Sequence, residues 1–129
     1  PKILEKVKLC YPDTTYTQLS HGVDITYTDQ LDRGGSIGEH SDDELPWKMV
    51  AVISFGQSRT FRIRHKHKQE GKKSRIIQDI QTKDNSLIIM YGDDFQKKYT
   101  HEIPKLSKKI KPETRWSINL RFLHNTICD

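Results

Sequence analysis

Three side chains in this sequence are of types that bind metal ions, and their spacing lets them meet. His40 and Asp42 stand one residue apart in GGSIGEHSDDE, Gly34 to Glu44, and His101 closes the downstream stretch LIIMYGDDFQKKYTH. On an extended backbone, residues i and i+2 project to the same side, so His40 and Asp42 would share one opening. Two imidazoles and one carboxylate on one face of an octahedron form the ligand set of non-haem ferrous iron, with three positions left for other molecules. A His-x-Asp pair also recurs by chance on polar surfaces, so its weight depends on what accompanies it.

A second candidate metal site lies in the same downstream stretch. Tyr91-Gly92-Asp93-Asp94 follows an apolar run and has the form of the metal-binding turn in RNA-dependent polymerases. Such enzymes need palm, fingers and a template channel, several times the 129 residues present, so size excludes that reading. A chain of this length buries roughly two-thirds of its unfolded surface and supports one core. One domain over residues 1–129 is therefore expected.

RWSINLRF, Arg115 to Phe122, is the most informative strand. By period two, Arg115, Ser117, Asn119 and Arg121 share one face, and Trp116, Ile118, Leu120 and Phe122 share the other. The apolar face must pack into a core. The polar face either meets water, as on an edge strand, or lines a concavity suited to a small dianion.

Strand signals dominate the remaining elements. VDITYT (Val23 to Thr28) alternates, and MVAVISF (Met49 to Phe55) is a continuous apolar run stopped by Gly56, as in a strand buried on both faces. TFRIRH (Thr60 to His65), RIIQDIQ (Arg75 to Gln81), LIIMY (Leu87 to Tyr91) and THEI (Thr100 to Ile103) read as further strands, with a turn at KDNS (Lys83 to Ser86). Helical spacing is confined to PKILEKVKL at the start. The expected fold is mainly β, a barrel or jelly roll of short strands with a short N-terminal helix.

The formal charge is +5, concentrated in HKHKQEGKKSR from His65 to Arg75. Such a run is either a solvated hairpin tip or a phosphate-contacting loop. Cys10 and Cys128, near opposite ends of the chain, show neither metal-finger spacing nor a disulfide framework, so a reducing, intracellular setting is expected. No apolar run approaches the ~20 residues of a membrane-spanning helix, and no secretory signal is visible. A monomer is expected. The chain begins at Pro1, as a trimmed domain of something longer would.

The blocks IGEHSDDE, ISFGQSRTFRIRHK, LIIMYGDDFQKKYTHEIP and RWSINLRF occur in the order found in the AlkB family of nucleic-acid demethylases, which the chain resembles from about Val23 to Phe122. The resemblance implies a double-stranded β-helix holding Fe(II) through His40, Asp42 and His101. It also implies 2-oxoglutarate as cosubstrate, with ascorbate as reductant in assays. Arg115 would bind the far carboxylate of the keto acid. Arg121 would pair with its C1 carboxylate or with Asp42, and Tyr27, Ser117 and Asn119 would add hydrogen bonds. Oxygen and the keto acid would be converted to succinate and carbon dioxide, and an N-methyl group on 1-methyladenine or 3-methylcytosine, in single- or double-stranded DNA or RNA, would leave as formaldehyde. Glu44 matches an acid that contacts the base, and Arg64, Lys66, Lys68, Lys72 and Lys73 fall in a strand-gripping hairpin. In that family Asp93 and Asp94 belong to a variable, solvent-facing turn.

The sequence departs from the family pattern in four places. Ile25 stands where asparagine is usual, Ser117 replaces an asparagine, and the segment between Tyr27 and His40 is longer. The upstream nucleotide-recognition lid is reduced or missing. Two other readings stay open: an iron hydroxylase of a protein or small molecule, and a basic nucleic-acid-binding module without catalysis.

Overall fold

The structure is a computed structural model that describes residues 21–28, 35–43, 47–66, 72–92 and 94–123, with only the backbone described at 21–28 and 123. The helix expected at the N-terminus, Glu44 and Lys68 lie outside those residues. The described residues form eight strands and one short helix, in order: β1 His21–Thr28, β2 Ile37–His40, β3 Trp47–Gly56, β4 Arg59–His65, β5 Ile76–Thr82, β6 Ser86–Tyr91, α1 Phe95–Lys98, β7 Tyr99–Ile103 and β8 Arg115–Leu123.

The strands form two antiparallel four-stranded sheets, ordered β1-β8-β3-β6 and β2-β7-β4-β5. This is the expected jelly-roll architecture. β3 explains why two layers form. Its apolar run serves both faces of the first sheet, because alternate residues point to opposite sides. Val50 and Val52 join Phe61 of β4, Met90 of β6 and Ile103 of β7 in the layer between the sheets. Met49 and Ala51 join Leu120 and Phe122 of β8 on the other face.

β8 lies between β1 and β3 and is not an edge strand. Its apolar residues Ile118, Leu120 and Phe122 belong to the second cluster, so Arg115, Ser117, Asn119 and Arg121 are turned toward the opposing sheet. Cross-strand pairing sets Ser117 against Ser54, Asn119 against Val52 and Arg121 against Val50.

The turns carry their expected chemistry. Asn85 takes a left-handed conformation (φ 59°) between β5 and β6, which asparagine tolerates. Gly56 ends β3 at φ 83° opposite Arg115, where a Cβ would overlap the Thr114 carbonyl oxygen. Replacing Gly56 with alanine therefore combines backbone strain with a backbone clash, and should lower unfolding stability by about 1–3 kcal/mol in urea denaturation.

Two elements differ from the sequence reading. β2 is only four residues long and ends at His40, so Asp42 sits in the turn beyond it. The stretch before His101 contains α1, a single turn of helix that strand periodicity did not reveal.

Candidate metal centre and cosubstrate slot

β2 and β7 are adjacent strands, and their register sets His40 directly across from His101, with ring centroids 4.3 Å apart. Asp42 approaches both from the turn after β2. Its carboxylate lies 4.0 Å from His40 Nε2 and 3.8 Å from His101 Nε2. One ligand atom from each residue lies within 4.8 Å of the others, so the three converge on one point where small side-chain movements would close them on a single ion.

The donor set fits a divalent cation. His40 donates from Nδ1 to the Gly38 carbonyl (2.8 Å), which leaves the Nε2 lone pair for a metal. The His101 side chain is 8% exposed, stacks on Phe61 at 5.4 Å, and has no hydrogen-bond partner at Nδ1. Burial, then the neighbouring His40, pushes its pKa down to about 4, so it is a neutral ligand at neutral pH. The His40 side chain is 40% exposed, so the centre opens to solvent on that side.

Asp42 is oriented by tertiary contacts and not by strand alternation. Its backbone N–H donates to Gln96 Oε1 of α1 (2.8 Å), and Arg121 Nη2 donates to Oδ1 (3.2 Å). Arg121 thus takes the second of its two expected roles, at the iron end beside the ligand.

Behind the ligands runs a cavity of about 150 Å³ between the sheets, lined by the three ligands, by Val52, Phe61 and Ile103, and by Arg115, Ser117, Asn119 and Arg121. Sites for drug-sized ligands run to about 300–1,000 Å³. This slot suits one small metabolite, and a larger substrate has to dock at the mouth. Arg115 is 1% exposed and donates to Ser54 Oγ (2.9 Å). Burial, and then Arg59 nearby, lowers its pKa to about 10, which still leaves it charged at neutral pH. Two buried guanidinium groups make that end of the slot electropositive, the setting in which a planar Arg pairs bidentately with a carboxylate.

The family model of the 2OG-Fe(II) oxygenase superfamily covers residues 21–122. The chain belongs to the 2OG-Fe(II) oxygenase superfamily. A search of curated proteins finds no match. Enzymes of this superfamily use Fe(II), 2-oxoglutarate and oxygen to oxidise a substrate by hydroxylation or demethylation. In this oxygenase His40, Asp42 and His101 are the residues that would hold the iron, which when bound supplies the oxidising chemistry. No described helix is long and apolar enough to cross a membrane.

Several expected site residues lie elsewhere. Tyr27 is described by its backbone alone, paired with Trp116 of β8, so its expected contact with the cosubstrate lies outside the described side chains. Arg64 is buried, donating from Nε to Glu102 (2.9 Å) and from Nη1 to the Ser74 carbonyl (2.6 Å), so it closes the base of the β4–β5 hairpin and is not presented to a phosphate. Lys66 is held by Asp43 and by the Gln96 carbonyl. Lys72 and Lys73 are exposed on the hairpin, as expected. Asp94 is exposed and pairs with Lys98 (3.1 Å), away from the metal centre.

Sequence reasoning missed Arg59, Ser54 and Gln96. Arg59 sits in a strand that reads as alternating apolar and basic, with no signal that its guanidinium is buried and bonded to the Gly35 (2.6 Å) and Pro104 (2.7 Å) carbonyls.

Two outcomes follow from this geometry. Arg115→Met should raise the KM for 2-oxoglutarate by at least about 30-fold in a succinate assay, the scale of truncating one partner of a buried charge pair. The metal-free protein should also lose stability in acid. Above pH 6.5 His101 is neutral whether folded or unfolded and contributes nothing. Between pH 6.5 and about 4 the unfolded chain takes up a proton that the folded site refuses, which costs about 2 kcal/mol by pH 5. Urea denaturation at pH 7 and pH 5 should show that loss, and His101→Gln should remove most of the difference.

Proposed function

We propose that this oxygenase removes N-alkyl groups, such as those of 1-methyladenine and 3-methylcytosine, from DNA or RNA, releasing formaldehyde while 2-oxoglutarate leaves as succinate and carbon dioxide. The observation that carries this reading is where the basic hairpin starts. Lys66 at its base bonds Asp43, the residue next to the metal ligand Asp42, and Lys72 and Lys73 are exposed where the same hairpin returns toward β5. A polyanion held by them would lie across the mouth, on the side where His40 is exposed.

The slot between the sheets has room for the cosubstrate alone, so an alkylated base must enter from the mouth, unpaired or flipped from its helix. Arg115 and Ser117 hold the distal end of the keto acid, and Asn119 lies between them and the metal. Arg121 keeps the Asp42 carboxylate aimed at the metal. Val52, Phe61 and Ile103 keep water from the interior of the slot. Glu44 and Lys68 complete the proposed substrate contacts, the first to the base and the second to the backbone.

A hydroxylase of a protein or small molecule would share the iron site but would leave the exposed hairpin lysines without a partner. Pure protein supplied with Fe(II), ascorbate and 2-oxoglutarate should give formaldehyde in step with succinate only when a methylated oligonucleotide is present. Succinate that does not depend on the methylated strand would overturn the demethylase reading. Replacing both Lys72 and Lys73 with alanine should weaken oligonucleotide binding across all sequences. It should also flatten the slope of log K against log salt by about 1.4–1.8, the value for two lost phosphate contacts.

A further inference from the structure

The turn that carries Asp42 has no ladder hydrogen bonds of its own, because β2 ends at His40. Its backbone is held instead by α1, where Gln96 is 5% exposed and accepts the Asp42 N–H at Oε1 (2.8 Å). Among the described residues the other end of that amide donates only to Met90 Sδ at 3.8 Å, a weak acceptor, so the Asp42 bond is the stronger constraint on the Gln96 side chain. Lys66 holds α1 in turn. Its backbone N–H donates to the Lys98 carbonyl (2.9 Å), and its ammonium donates to the Gln96 carbonyl (3.2 Å) and to Asp43 Oδ2 (2.5 Å). These contacts close a ring: Asp42 to Gln96, Gln96 to Lys66, Lys66 to Asp43, and back along the chain.

We propose that Gln96 and Lys66 are positioning residues for the metal ligand Asp42, so that the base of the basic hairpin is a structural part of the metal centre. The inference rests on the metal site and is independent of which substrate the enzyme takes. It assigns Lys66 a brace in place of a phosphate contact. A carboxylate ligand on an unsupported turn would lose entropy each time it bound a metal, and the ring removes most of that cost beforehand.

Titration of the full chain with Mn(II), without oligonucleotide, tests this directly. Gln96→Met keeps the side-chain volume but removes the acceptor, and should raise the Mn(II) Kd by about 10–100-fold and alter the visible spectrum of the Co(II)-loaded protein. Lys66→Met should raise the Kd by at least about threefold, with Lys66→Arg restoring it. A Lys108→Met/Lys109→Met double variant, on the exposed segment between β7 and β8, should leave it unchanged. Thermal melts of the metal-free variants establish that each is folded, and if Gln96→Met is not, the half-buried Lys66 pair decides alone. A wild-type Mn(II) Kd in Lys66→Met overturns the proposal whatever happens to oligonucleotide binding. So does a folded Gln96→Met with unchanged Kd and Co(II) spectrum.

Discussion

The Asp42 carboxylate must be held beside two imidazoles at the edge of an apolar layer, and the other features of the site follow from that requirement. Burial keeps His101 neutral, so that imidazole offers a lone pair and not a positive charge. Arg121 meets one carboxylate oxygen, and the other faces His101. A divalent cation at the centre supplies the positive charge that this donor set calls for, and His40 is already in the tautomer that presents Nε2. The jelly roll makes the arrangement possible because β2 and β7 are neighbours in one sheet while β8 faces them from the other.

The same opposition of sheets accounts for the slot. The polar face of β8 would be an unfavourable surface to bury against Val52, Phe61 and Ile103 unless a ligand occupied the gap. Arg115 and Arg59 make the closed end electropositive, and the metal makes the open end so. A molecule with a carboxylate at each end meets both, which is the chemistry of a keto diacid. The cosubstrate therefore bridges the buried arginine end of the slot and its metal end.

Much of this was legible in the sequence where local pattern and chemistry coincide. The alternation in RWSINLRF revealed which face of β8 is apolar, and the apolar run of β3 revealed a strand buried on both sides. His40, Asp42 and His101 were identifiable because their types are restricted and their order matches a known arrangement. Legibility failed where tertiary contacts override local pattern. Asp42 looked like a strand residue, yet α1 and Arg121 orient it. Arg64 looked like a surface base among bases, yet Glu102 and the Ser74 carbonyl draw it inside. Gln96 gave no signal because a glutamine beside two lysines in a four-residue helix resembles solvent-facing sequence.

Anaerobic titration of the protein with Fe(II) and 2-oxoglutarate, followed by the visible charge-transfer band of a keto acid chelated to ferrous iron, tests the central claim most directly. The band should saturate at one iron per chain in the wild type and be lost in Asp42→Ala. A wild-type protein that develops no band, or an Asp42→Ala variant that develops it undiminished, would contradict the shared metal centre.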